Sequence, residues 1–214
     1  MSANDVIIQV SQESLKGVLA IPEHAKGIVI FAHGSGSGRL SPRNQFVAKK
    51  LQENGLATLL VDLLTAEEEE IDDKTRQFRF DIDLLTERLK GCAEWVACQK
   101  ETSGLAIGYF GASTGAAAAL MAASEEGNAI KAVVCRGGRP DLAIDLLPSV
   151  LAPVLLIVGG QDLAVIELNK KALEALECVK KLEIIPGATH LFEEPGTLEA
   201  VAEMASSWFV TYLV

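Results

Sequence analysis

The sequence predicts an α/β protein built on a doubly wound, mostly parallel sheet with an N-terminal antiparallel hairpin. Two observations carry this. From residue 27 onward, strand-sized apolar runs alternate with amphipathic helical stretches, which requires parallel β-α-β units. The runs Gly27–Ala32, Ala57–Leu64 and Val154–Val158 are apolar almost throughout, as strands buried on both faces are.

The elements follow in order. Asp5–Val10 and Leu15–Ile21 are β-rich and joined by Ser11-Gln-Glu-Ser14, which predicts the hairpin. Gly27–Ala32 leads into a glycine-rich loop, His33–Gly38. Pro42 to Asn54 reads as a helix with Ser41 as N-cap, proline in its first position and Gly55 after its end. Ala57–Leu64 is a strand, and the acidic run Ala66–Asp73, with Glu67–Glu70 at its heart, reads as a solvated loop. Phe78–Lys100 carries apolar residues at Ile82, Leu85, Leu89 and Val96, the spacing of an amphipathic helix.

Leu105–Met121 is the most informative stretch. It opens as a buried strand and closes as a row of small helix-favouring residues. Between them, Gly111-Ala-Ser-Thr-Gly115 matches G-x-S-x-G, a strand-to-helix turn that presents the serine hydroxyl at its apex. Ile130–Cys135 is the next strand, Asp141–Leu147 a short helix, and Val154–Val158 another strand ending in Gly159-Gly-Gln-Asp162. A helix over Ala164–Leu176, a strand over Leu182–Ile185 and a last helix capped by Thr197 complete the chain. With no internal repeat or linker, residues 1–214 are expected to form a single domain.

Composition narrows the function. A net charge of −10 argues against nucleic acid and anionic membrane surfaces as partners. No N-terminal stretch pairs basic residues with an apolar segment, and the apolar runs are too short to span a bilayer. The four cysteines show no metal-binding spacing, so reduced thiols in a cytoplasmic protein are expected, with no metal or organic cofactor.

Ligand and reaction sites in open α/β sheets form at the carboxyl ends of strands. There fall the His33–Gly38 loop, Asp62, Ser113, Arg136, Asp162 and His190. A serine hydroxyl needs a base to attack at neutral pH, and the chain has three histidines. His24 precedes a strand and His33 opens the glycine-rich loop; His190 follows the last strand and is the strongest candidate. Asp162 is the candidate carboxylate to orient it, giving the chain order Ser…Asp…His. The backbone amides of Thr114 and Ser35 are the candidate oxyanion donors. Asp162 as a mere helix cap and Asp141 as a rival acid stay open, as does Asp62 in a structural role. Arg136 and Arg139 are candidates to grip a substrate carboxylate, as are Arg76 and Arg79, against the commoner role of pairing with surface acids. The glycine-rich loop lacks the Lys-Ser/Thr of a P-loop and fails the dinucleotide pattern.

With Ala32-His-Gly-Ser-Gly, Gly111-Ala-Ser-Thr-Gly115, Pro153–Asp162 and Pro186-Gly-Ala-Thr-His-Leu-Phe192, the chain resembles the α/β-hydrolases, and within them the dienelactone-hydrolase-like family with little or no lid. The resemblance implies hydrolysis of carboxylic esters, thioesters or lactones by Ser113, His190 and Asp162, with His33 bracing the oxyanion loop. Dienelactone hydrolases proper carry cysteine where this chain has Ser113, which favours general ester hydrolysis. The segment Arg136–Pro153, where relatives insert a lid, is under twenty residues, so a shallow pocket for small to medium esters is expected. A monomer or homodimer is expected. Two alternatives stay open: a silent binding or regulatory module of the same fold, and an acyltransferase or amidase using the same triad.

Overall fold

The computed structural model describes residues 3–214. Its eight strands are β1 (Ala3–Val10), β2 (Glu13–Ala20), β3 (Gly27–Ala32), β4 (Leu56–Val61), β5 (Ala106–Ala112), β6 (Ile130–Arg136), β7 (Val154–Gly159) and β8 (Lys180–Ile185). They form one sheet in the order β1-β2-β4-β3-β5-β6-β7-β8. The β1–β2 hairpin joins the rest through an antiparallel β2–β4 pairing, and every pair from β4 to β8 is parallel.

Six α-helices cover the faces: α1 (Pro42–Glu53), α2 (Ala66–Thr75), α3 (Ile82–Cys98), α4 (Thr114–Glu126), α5 (Leu163–Ala175) and α6 (Thr197–Leu213). Alternation along β3 shows how the sheet is packed. Ile28, Ile30 and Ala32 belong to one buried layer with α3 and α4, whereas Val29 and Phe31 belong to the other with α1 and α6. The row of alanines Ala116–Ala119 is fully buried. That places α4 at the centre, its small side chains letting neighbours approach closely.

Local chemistry explains the helix starts. Ser41 accepts the Asn44 N–H, with Pro42 at the first position of α1. Asp81 accepts the Leu84 N–H, so α3 starts at Ile82 rather than at Phe78. The acidic run is a correction to the sequence expectation: Ala66–Thr75 is helix, not loop. Thr65 and Glu68 form a capping box, and Glu67, Glu68 and Glu69 sit in the first turn, where the helix dipole favours negative charge. Glu68 also pairs with Arg88 of α3 at 2.9 Å. In the lid position, Pro140–Ser149 forms 3₁₀ turns interrupted by a kink at Ala143 and packs on α4.

Candidate active site

Ser113 sits between β5 and α4 with φ 51° and ψ −121°, a left-handed conformation unusual for a side-chain-bearing residue. Its backbone is held on both sides: its N–H donates to the Arg136 carbonyl at 3.2 Å, and its own carbonyl accepts from Arg139 at 3.0 Å. A Cβ on Gly115 would lie 2.2 Å from the Ala32 carbonyl, so α4 can start this close to β3 only with glycine there. The Ser113 side chain makes no capping bond to α4.

His190 follows β8 in the loop Pro186–Gly196. Its Nδ1 lies 2.6 Å from Asp162 Oδ2. Asp162 precedes α5 but gives the helix no side-chain cap bond; its carboxylate turns to the histidine instead. Two backbone bonds tie the loops after β7 and β8 together, Gly160 N–H to the Ile185 carbonyl at 2.8 Å and Gln161 N–H to the Ala188 carbonyl at 2.9 Å. Residue 137 has φ 51°, and a Cβ there would lie 3.4 Å from His190 Cε1. The residue carrying the carbonyl that holds Ser113 is thus followed directly by the one against which the imidazole rests.

The glycine-rich loop runs past the serine: a Cβ on Gly34 would come within 2.9 Å of Ser113 Cβ. Ser35 Oγ and Thr114 Oγ1 are 3.2 Å apart, linking the loop to the start of α4. Among the described residues, neither the Ser35 nor the Thr114 amide donates to a backbone group outside the helices and strands. His33 is buried, with Nε2 accepting the Leu63 N–H at 3.0 Å and Nδ1 donating to the Gly34 carbonyl at 2.9 Å. Burial pulls its pKa down. A neutral histidine with both nitrogens committed to backbone braces the loop and is not available as a base. Asp62 holds the far end, accepting the Arg39 N–H at 2.6 Å and pairing with the Arg39 guanidinium.

The arginines separate. Arg139 is held in a two-pronged pair by Asp141, at 2.9 and 2.8 Å, which also occupies the rival acid. Arg79 is taken by Asp72, Nε to Oδ2 at 2.5 Å, and Arg76 ends α2 in a left-handed conformation. Arg136 alone of the four is buried beside Ser113. Cys135, before it, is a buried thiol whose pKa burial raises.

Two positioning residues were not legible in the sequence. Glu194 accepts the Thr189 N–H at 3.0 Å, closing the histidine loop; this bond holds its carboxyl below the usual range. Phe192, also at positive φ (55°), is buried in the same hydrophobic cluster as Phe31, Phe110 and Phe209 and anchors the same loop. Only the tertiary closure of the loop reveals either role.

A G-x-S-x-G turn between strand and helix, a histidine after the last strand and an acid after the one before it are the arrangement of an α/β hydrolase. The family model of the dienelactone hydrolase family matches residues 15–211, and the chain belongs to that family. It is 59% identical to the dienelactone hydrolase of Anabaena variabilis, with a TM-score of 0.98 over 100% of this chain and 99% of that one. The esterase domain of a Rhodothermus marinus protein has the same fold at 20% identity, TM-score 0.78, covering 99% of both chains. A Mycobacterium tuberculosis protein bearing the provisional name phosphoribosyl transferase is 56% identical over 197 residues. That match covers 92% of this chain but 44% of the relative, so the chain spans under half of that protein's length. Among the described residues, no helix is long and apolar enough to cross a membrane.

Proposed function

We propose that the hydrolase cleaves carboxylic esters of small to medium size, thioesters and lactones included, through an acyl-enzyme on Ser113. The observation that carries this reading is the 2.6 Å contact between His190 Nδ1 and an Asp162 carboxylate withheld from its helix. That contact fixes the imidazole with Nδ1–H toward the carboxylate and Nε2 free to take a proton.

In this mechanism Ser113 Oγ attacks the acyl carbon while His190 Nε2 removes its proton. The Ser35 and Thr114 amides receive the developing oxyanion, aided by the positive end of α4. His190 then protonates the departing alcohol, and water activated by the same imidazole releases the acid. Asp162 keeps its hydrogen bond to Nδ1–H and stabilises the imidazolium.

The phosphoribosyl transferase name belongs to relatives more than twice as long, of which the match covers 44%. It is not carried to this chain. The test is turnover of a chromogenic short-chain ester by the wild type beside Ser113→Ala and His190→Ala. Each variant should lose at least about a thousandfold in kcat. Full retention in either would sink the mechanism.

A further inference from the structure

The two candidate oxyanion amides belong to different elements, Ser35 to the loop after β3 and Thr114 to the first turn of α4. Side chains make the link between them: Ser35 Oγ and Thr114 Oγ1 are 3.2 Å apart, and Thr114 is buried. Ser35 Oγ also donates to the Arg79 carbonyl at 3.4 Å. Arg79 borders the next residue of the loop as well. A Cβ on Gly36, where φ is 65°, would stand 3.7 Å from Arg79 Nη1. Arg79 therefore meets two successive residues of the oxyanion loop, one with its carbonyl and one with its guanidinium.

Asp72 in turn fixes Arg79. One carboxylate oxygen accepts the Phe78 and Arg79 N–H groups at 2.8 and 3.0 Å, and the other accepts Arg79 Nε at 2.5 Å. Arg79 Nη2 returns to the Asp72 carbonyl at 3.2 Å. Asp72 is the one buried residue of α2, and a carboxylate turned inward is costly unless hydrogen bonds meet it. Here those bonds all come from the two residues that lead into α3. His33, Ser35, Asp72, Arg79 and Thr114 line one small cavity. The acidic helix gives nothing to Ser113, Asp162 or His190, yet it is joined to both amides through Asp72, Arg79 and the hydroxyl pair.

We propose that Asp72 is a positioning residue for the reaction at Ser113: by locking Arg79 against the loop, it sets the spacing of the Ser35 and Thr114 amides. The inference rests on the esterase reading above. An oxyanion develops only on the way to the tetrahedral intermediate, so a displaced donor lowers kcat and leaves KM in place. Removing one such donor costs about a hundredfold or more in kcat, and displacing one costs part of that.

The test is kcat and KM on 4-nitrophenyl butyrate for wild type, Asp72→Asn, Ser35→Ala and the double variant. Asp72→Asn keeps the shape of the side chain but turns an N–H toward Arg79 Nε, and Ser35→Ala removes the hydroxyl while keeping the amide. Each should lower kcat about tenfold, with KM within about twofold of wild type. Because Asp72 acts through Ser35, the double variant should fall no more than about twofold below the weaker single variant. A purely structural Asp72 would move the unfolding midpoint without that coupling.

If Asp72→Asn does not fold, Asp72→Leu combined with Arg79→Met takes its place, since it leaves neither partner buried and unpaired. Losses that multiply to about a hundredfold in the double variant overturn the proposal. So does a kcat for Asp72→Asn, or for its replacement, within about twofold of a wild type that turns the ester over. No turnover by wild type defeats the esterase reading and this inference together.

Discussion

Asp162 stands where a helix cap stands and does not cap: its carboxylate lies 2.6 Å from His190 Nδ1 and gives α5 no side-chain bond. The role of this residue is therefore separable from the stability of the helix behind it. Asp162→Asn should lower kcat on a short-chain ester by about a thousandfold or more, because the amide no longer enforces the productive tautomer. Its unfolding free energy should change by no more than about 1 kcal/mol, the scale of a charge near a helix N-terminus. A large stability loss with kcat preserved would return Asp162 to a structural role.

The left-handed backbone of Ser113 makes a second prediction. A non-glycine residue at φ 51° and ψ −121° stores of order 1–3 kcal/mol. Ser113→Ala keeps that strain, whereas Ser113→Gly releases it and gives back part through unfolded-state entropy. Both variants should be inactive, and the glycine variant should be the more stable by about 1 kcal/mol in denaturant unfolding. Equal stability would show that the turn is unstrained.

His33 couples the oxyanion loop to pH. Its folded pKa is depressed by burial from 6.5, so below that value the unfolded chain binds a proton that the folded chain does not. The stability it contributes is present at neutral pH and is lost as pH falls below about 6.5, with a slope approaching about 1.4 kcal/mol per pH unit. His33→Gln should be less stable than wild type at pH 8, and the gap should narrow toward pH 5. A pH-independent gap would contradict a buried neutral imidazole.

Glu126 acts in the opposite direction. Tyr109 donates to its Oε2 at 2.5 Å, and burial raises its pKa from 4.5 to about 7. A raised carboxyl costs nothing where both states are protonated, and it removes stability as pH rises from 4.5 through 7. Glu126→Gln should therefore unfold at a higher urea concentration than wild type at pH 8, with the two converging toward pH 5. A variant less stable at pH 8 would show that the ionised carboxylate is stabilising there.

Much of this architecture is legible in the sequence because its signals are local. The apolar runs of β3, β4 and β7 admit one reading, and Gly111–Gly115 followed by alanines marks a strand turning into a tightly packed helix. The order Ser113, Asp162, His190 puts all three candidate residues at strand ends. The acidic run misled because like charges suggest a solvated loop. The signal that overrides it, Thr65 with Glu68 three residues on, is a capping box and equally local. Other features could not be read locally. Whether an arginine is paired depends on what the fold brings near it: Asp141 captures Arg139 from two residues away, Asp72 captures Arg79 across a turn, and among the described residues no carboxylate pairs with Arg136. The anchoring of the histidine loop by Glu194 and Phe192 arises only when that loop closes on the core.

The central claim is that Ser113 is a nucleophile activated by His190. A serine-directed fluorophosphonate, followed by peptide mapping of the adduct, tests it most directly. One adduct is expected, on Ser113, formed rapidly by wild type, at least about a hundredfold more slowly by His190→Ala, and not at all by Ser113→Ala. An adduct elsewhere in the chain, or undiminished labelling of Ser113 without His190, would contradict it.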